Sequence, residues 1–262
     1  MAEQQIRFND GAAYERMMGV WSRSAGEVFL DWLAPSPGLK WIDIGCGNGA
    51  FTELIVDRCA PKEVQGVDPS PAQIAFARGR PAARLAEFRE GDAMALPFDE
   101  NRFDAAAMAL VIFFVPDPAK GVAEMKRVVR PGGPIAAYAW DILEGGFPLE
   151  PVLAEMRAIG LTPALPPSAP ISRIDALGKL WADAGLRDVE TREITVERSF
   201  AGFDEFWEIG LLSASISHTV AGLPAAELER LRAGVRARLP AASGGRLILS
   251  ARANAVKGRV PG

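Results

Sequence analysis

A chain of 262 residues, 49% hydrophobic and 24% charged, can bury the core of one large domain with an elaboration, rather than of two equal domains. Its formal net charge of −4 offers no concentrated basic face, which sets nucleic acid aside as the main partner. Cys46 and Cys59 stand in no metal-ligand spacing and cannot build a disulfide framework. The chain opens on no basic-then-apolar leader, and no run nears the roughly 18 apolar residues that span a bilayer, so the expected setting is cytoplasmic, with no metal and no membrane partner.

From Ala12 to Leu33, the residues Tyr14, Met17, Met18, Trp21, Ala25, Val28, Phe29 and Trp32 recur at three and four positions, the period of one long amphipathic helix or a helix pair. Pro35-Ser36-Pro37-Gly38 stops it. Strand and helix patterns then alternate: strand Lys40–Ile44, helix Ala50–Cys59, strand Glu63–Val67, helix Pro71–Gly79, strands Ala86–Arg89 and Phe103–Leu110, helix Ala119–Val129, strand Pro134–Trp140. Such alternation predicts an α/β fold, a doubly wound sheet, mostly parallel and covered on both faces.

Beyond Asp141 the rhythm changes. A proline-rich loop, Leu161 to Pro170, lies between helical patterns at Leu149–Ile159 and Ile174–Ala184, which suit a cap over the sheet. Two β-rich stretches, Val189–Phe200 and Arg246–Lys257, enclose helical segments at Phe203–Leu212 and Ala225–Leu239. Arg230, Arg232, Arg236 and Arg238 alternate with Leu228, Leu231, Val235 and Leu239, and so read as the solvated face of a helix. The expected organisation is a single domain: a helical lid over 1–34, a ligand-binding core over 35–140, a helical cap over 141–185 and 201–242, and strands over 186–200 and 243–258.

The densest signal is Trp41-Ile42-Asp43-Ile44-Gly45-Cys46-Gly47-Asn48-Gly49-Ala50, a strand, a glycine turn and a helix start. Glycines at alternate positions let the backbone approach a nucleoside-bearing ligand at the carboxyl end of the strand. Gly45, Gly47 and Ala50 also satisfy the dinucleotide template, with Asp68 about where a ribose acid stands. Asp43, however, adds negative charge where a pyrophosphate would sit, and favours instead a ligand carrying an ammonium and a sulfonium. Asp92, just after the third strand, adds another carboxylate at the same sheet edge. Asp68 is suited to accept both ribose hydroxyls, and Asp92 to accept from an adenine amine while the Ala93 amide donates to a ring nitrogen.

With these residues the chain resembles the class I S-adenosylmethionine-dependent methyltransferases, and within them the type 11, ubiquinone/menaquinone-methyltransferase-like small-molecule group. The resemblance runs from about Tyr14 to Trp140. It rests on Ile42 to Gly49, Gly66-Val67-Asp68-Pro69-Ser70, Gly91-Asp92-Ala93, Leu96-Pro97-Phe98 and Val128-Val129-Arg130-Pro131-Gly132-Gly133. It implies a Rossmann-like seven-stranded sheet with the last strand antiparallel. It also implies S-adenosylmethionine against Asp43, Gly45, Cys46, Gly47 and Gly49, its ribose on Asp68 beside Pro69, and its adenine on Asp92 and Ala93. Ala109 and Leu110 would face the donor.

Phe113 and Trp140 would face the acceptor from the sheet ends, and Tyr14 and Trp21 would pack in the lid at the pocket border. Arg23 is the candidate partner for the donor's carboxylate. After the fourth strand, Met108 to Phe114 contains no Asn-Pro-Pro-Tyr or Asp-Pro-Pro-Tyr clamp, which disfavours nucleobase and glutamine amino groups as acceptors. The only histidine, His218, reads as an ordinary polar residue, Cys46 as a small loop residue, and no catalytic residue stands out. The leading reading is methyl transfer to an oxygen, nitrogen or carbon of an apolar small molecule. The alternatives are a nicotinamide-dependent oxidoreductase and a non-catalytic S-adenosylmethionine-binding or partner-binding protein.

Overall fold

Seven strands form one sheet: β1 (Lys40–Ile44), β2 (Glu63–Asp68), β3 (Ala86–Glu90), β4 (Ala105–Ala109), β5 (Pro134–Trp140), β6 (Arg187–Phe200) and β7 (Leu247–Arg259). The structure, a computed structural model, describes residues 15–240 and 245–262; Tyr14 lies outside the described residues. The strand order is β3-β2-β1-β4-β5-β7-β6. β1 to β5 pair in parallel, and β7 runs antiparallel to both β5 and β6. The expected doubly wound sheet with its last strand reversed is therefore present.

Helices cover both faces. They are α1 (Val20–Leu33), α2 (Ala50–Cys59), α3 (Pro71–Ala77), α4 (Pro118–Val128), α5 (Glu150–Ala158), α6 (Ile174–Asp183), α7 (Phe203–Gly210), α8 (Ala214–Val220) and α9 (Ala225–Arg238). The period-2 alternation of a strand explains the double cover. On β7, Lys257 reaches one face, its Nζ 4.6 Å from the ring centre of Trp32 on α1. At the next position a Cβ on Gly258 would stand 3.0 Å from Trp181 of α6. Trp181 is fully buried and donates its indole N–H to the Ile135 carbonyl. Such buried aromatics dominate core energetics, at roughly 1.5–3 kcal/mol each for large apolar side chains.

Helix starts follow local chemistry. The Asp117 side chain accepts from the Lys120 N–H to cap α4, and the Ser70 hydroxyl accepts from Gln73 N–H to cap α3. Proline occupies the first turn of both, where a missing N–H costs nothing.

Three local differences from the sequence expectations have physical causes. β4 begins only at Ala105, because Asp104 spends its carboxylate on the Lys40 N–H and Phe103 forms an isolated bridge to Val129. It ends at Ala109, because Leu110 turns left-handed at φ 62°. Among the described residues, the amino-terminal helical pattern begins with a π-turn, Glu15–Gly19, before α1. α8 was not expected, since Ser213 to Val220 carries no clear apolar period.

β6 and β7 outrun the rest of the sheet. β5 meets β7 as far as Trp140 opposite Ala253, whereas β6 and β7 continue to Phe200 opposite Leu247. The resulting arm rises past the carboxyl edge of the parallel strands. Its Phe200 packs on Trp21 and Phe206, with ring centres 6.3 and 5.4 Å apart, and Arg198 donates to the Met17 carbonyl at 2.8 Å. Among the described residues, no helix is long and apolar enough to cross a membrane.

Candidate functional site

The strand order reverses between β1 and β4, and ligands in open α/β sheets sit at that crevice, outside the carboxyl ends of the strands. Two segments flank it: the glycine loop after β1 and residues 110–114 after β4. They approach closely, since a Cβ on Gly45 would lie 2.4 Å from both γ carbons of Val111. Gly45, Gly47 and Gly49 all have positive φ, of 72°, 52° and 82°. Their directions differ: a Cβ on Gly47 would meet nothing within 4 Å.

The loop amides are largely committed inside the protein. Gly45 and Cys46 both donate to the Val67 carbonyl, Gly49 donates to the Cys46 carbonyl, and Ala50 donates to the Asn48 side chain. Gly47 donates to Asp68 Oδ2 at 3.0 Å. A phosphate nest needs those N–H groups pointing at the anion, so this loop is not built as one.

The carboxylates complete the picture. Asp43 is fully buried on β1 between Gly66 of β2 and Ala107 of β4. Thr52 of α2 donates its hydroxyl to Asp43 Oδ2 at 2.6 Å, while Oδ1 is buried without a partner among the described residues. Burial pushes the Asp43 carboxyl up to about 7, with the Thr52 hydrogen bond opposing and the neighbouring Asp68 charge adding. Asp68, at the end of β2, accepts from Gly47 and from Ser70 N–H at 2.8 Å, leaving lone pairs on both oxygens. Burial also raises its carboxyl above the ordinary value, against those two backbone bonds. Pro69 is exposed and opens the turn into α3.

Cys46 is buried in the loop, and its thiol is pushed well above its ordinary range, chiefly by burial, so it is not a nucleophile.

After β3, Asp92 is exposed and its Oδ1 accepts from Met94 N–H at 2.8 Å, which shapes the turn carrying half-buried Ala93. Glu124 and Arg127 of α4 hold the next residues through Leu96 N–H, Leu96 O and Phe98 O. Those two side chains give Leu96-Pro97-Phe98 its place against the sheet.

On the β4 and β5 side, Ala109 is half-buried and Leu110 buried, its N–H donating to the Tyr138 carbonyl. Phe113 is buried, with Phe114 half-buried 4.6 Å from it between ring centres. Ser168 ties the proline-rich segment onto this turn, donating to the Phe113 and Val115 carbonyls. Trp140 is buried at the end of β5 and Trp21 in α1. Asp141 is committed to Arg252, at 3.0 and 2.6 Å.

Arg23 lies on the exposed side of α1 in an ion pair with Glu27 at 3.3 Å. A different arginine meets the loop: Arg80, just past α3, donates Nε–H to the Asn48 carbonyl at 2.6 Å. Thr52 and Arg80 were not singled out from sequence. Thr52 carries a recognisable signal, a hydroxyl two residues into the helix that the loop starts, on the side facing β1. His218 is an exposed residue of α8. A separate cleft, lined by Asp104, Arg130, Pro134, Asp188 and Lys257, opens at the opposite, amino-terminal edge of the parallel strands.

A sheet ordered 3-2-1-4-5-7-6 with β7 reversed, a glycine loop after β1 and an acid ending β2 together make up the fold and loop that the resemblance to class I S-adenosylmethionine-dependent methyltransferases implies. Residues 42–137 match the family described as a methyltransferase domain. That match falls on the strands and loop that build the donor site, and it supports the resemblance to these methyltransferases. It is 38% identical over 106 residues to a demethylmenaquinone methyltransferase of Desulfitobacterium hafniense, covering 38% of this chain and 42% of that protein. It is 30% identical over 155 residues to a 2-phytyl-1,4-naphtoquinone methyltransferase of Synechococcus elongatus, covering 57% and 63%. The chain thus spans less than two thirds of either curated relative. Among solved structures, a putative methyltransferase from Bacillus halodurans shares the fold at TM-score 0.58 and 17% identity, over 90% of this chain and 99% of that one. Phosphoethanolamine N-methyltransferase 2 of Haemonchus contortus, in complex with S-adenosylmethionine, shares it at TM-score 0.59 and 18% identity, over 95% and 56%.

The residues present fit the family's donor. A buried carboxylate oxygen without a partner, Asp43 Oδ1, suits a cationic ligand, and the open space off Gly47 leaves room at the loop.

Proposed function

We propose that this protein transfers a methyl group from S-adenosylmethionine to an oxygen, nitrogen or carbon of an apolar, quinone-like small molecule. The observation that carries this reading is the pairing of a glycine loop whose amides are committed internally with the buried, half-satisfied Asp43 carboxylate. That combination repels a pyrophosphate and attracts a cation, which counts against the nicotinamide alternative. The acceptor class is supported by the apolar turn Val111 to Phe114 and by the names of the two curated relatives.

When bound, the donor supplies an electrophilic methyl on a sulfonium, opened by in-line displacement. The chain's residues bind and align. Asp68 takes the ribose hydroxyls on its free lone pairs, Asp92 and Ala93 read the adenine edge, and Gly45, Cys46, Gly47 and Gly49 back the amino-acid portion beside Asp43. Ala109 and Leu110 border the donor from β4. Phe113, Trp140 and Trp21 bound the acceptor and keep water out. Orientation of this kind is worth effective molarities of roughly 10⁵ to 10⁸ M, so a dedicated base is optional.

We read the chain as one catalytic domain working in the cytoplasm on a free small molecule and not on nucleic acid. Its two free, buried cysteines and negative net charge support that setting.

The test is methyl transfer from radiolabelled donor across a panel of quinols, phenols, amines and carboxylic acids. Labelled product from a quinol or phenol is expected. Good donor binding with no turnover on any acceptor would favour the non-catalytic binding protein.

A further inference from the structure

The Arg80 side chain is mostly buried, and it joins three parts of the chain that are remote in sequence. Nε–H donates to the Asn48 carbonyl at 2.6 Å, one terminal nitrogen to Glu53 of α2 at 2.9 Å, and the other to Glu15 of the π-turn at 2.5 Å. Its stem lies 3.3 Å from the position of a Cβ on Gly49, and its guanidinium lies 5.6 Å from the Phe76 ring centre. Asn48 is buried and closes the circuit, donating Nδ2–H to the same Glu15 oxygen at 2.9 Å.

These bonds act on the glycine loop itself. The Asn48 carbonyl belongs to the peptide between two left-handed stretches, Gly47 and Gly49, which no other side chain holds at that oxygen among the bonds described. On the other side, Gly47 N–H is fixed by Asp68. The loop is thus pinned at successive residues, by an acid assigned to the ribose and by Arg80. Glu15 meanwhile brings the π-turn, with buried Met17 and Met18, down onto Asn48. Glu15 folds under its own turn, where a Cβ on Gly19 would fall 2.8 Å from Glu15 Oε1.

We propose that Arg80 is a positioning residue for the methyl donor. It holds the glycine loop in its binding shape and latches Glu15, and with it the π-turn Glu15–Gly19, over the loop, so that release of the demethylated product requires the Glu15–Arg80 pair to part. The proposal rests on the donor-site reading above. It gives the arginine at the glycine loop a structural hold on the loop, whereas Arg23, the candidate partner for the donor's carboxylate, has its guanidinium engaged with Glu27 at the surface.

The test is the dissociation rate of radiolabelled S-adenosylhomocysteine, chased with unlabelled ligand, from the full chain and from Arg80→Met, Arg80→Lys, Glu15→Gln and the Arg80→Met/Glu15→Gln double variant. Loss of a charge-assisted pair predicts release about tenfold faster in Arg80→Met and in Glu15→Gln. The double variant is expected to release no faster than Arg80→Met, and Arg80→Lys to fall between. Should Arg80→Met fail to fold, Glu15→Gln and Gly19→Ala, which displaces the same carboxylate, make the same prediction.

Wild-type release rates in Glu15→Gln and Arg80→Met, or purely additive effects in the double variant, would overturn the latch while leaving the donor site standing. An unmodified chain that binds neither S-adenosylmethionine nor S-adenosylhomocysteine would instead overturn the donor-site reading, and the latch with it.

Discussion

The Thr52 hydroxyl donates to Asp43 Oδ2 at 2.6 Å, joining the first helix after the glycine loop to the strand before it, while Oδ1 has no partner among the described residues. Burial lifts this carboxyl from 3.8 to about 7. Between those values the folded chain holds a proton that the unfolded chain has lost. Its contribution to stability is therefore full below pH 3.8 and declines as pH rises towards 7. Asp43→Asn is expected to flatten that decline by an amount on the order of a few kcal/mol, read by urea titration between pH 5 and about 8. An unchanged pH profile in the variant would contradict the assignment.

The same proton bears on the ligand. A sulfonium near Asp43 favours the carboxylate, so donor binding below pH 7 should expel a proton and strengthen as pH rises. S-adenosylhomocysteine, without the sulfonium, should show a weaker pH dependence. Calorimetry in buffers of different ionisation enthalpy measures the protons released; no release with either ligand would count against a cation beside Asp43, and equal release would assign that cation to the ammonium both ligands carry.

Asp68 accepts from Gly47 and Ser70 and retains lone pairs for a ribose. Asp68→Ala should weaken donor binding by about 1.5–3 kcal/mol, the range for hydrogen bonds to charged groups. An unchanged dissociation constant would exclude the ribose role.

Gly45 and Gly47 separate folding from binding. Both are left-handed, which alone costs an alanine roughly 1–2 kcal/mol. A Cβ on Gly45 also strikes Val111 at 2.4 Å, so Gly45→Ala should lower the melting temperature more than Gly47→Ala. Gly47→Ala meets open space within the protein and should keep its fold while losing donor affinity. Equal loss of stability in both would show that the loop is more forgiving than its packing implies.

The sheet was legible because strand and helix periods alternate sharply from Lys40 to Trp140, and because Pro131-Gly132-Gly133 and Asp68-Pro69 punctuate them. The reversed β7 came from family resemblance, since no local pattern dictates strand direction. Boundaries slipped where side chains compete with the ladder, as Asp104 does for the Lys40 N–H. Asp43, Asp68 and the glycines announce themselves, because few residue types can end a strand beside a left-handed turn. Arg80 does not: its role depends on Glu15 and Glu53, respectively 65 and 27 positions away, and no periodicity encodes such contacts. Arg23, by contrast, sits on a helix whose register turns it to Glu27.

On the proposed function, the loop after β1 serves a sulfonium-bearing nucleoside and not a dinucleotide. Isothermal calorimetry of the full chain against S-adenosylmethionine, S-adenosylhomocysteine and NAD tests it most directly. Binding of the first two without measurable heat from NAD is the predicted result; tight NAD binding with no response to S-adenosylhomocysteine would contradict the account.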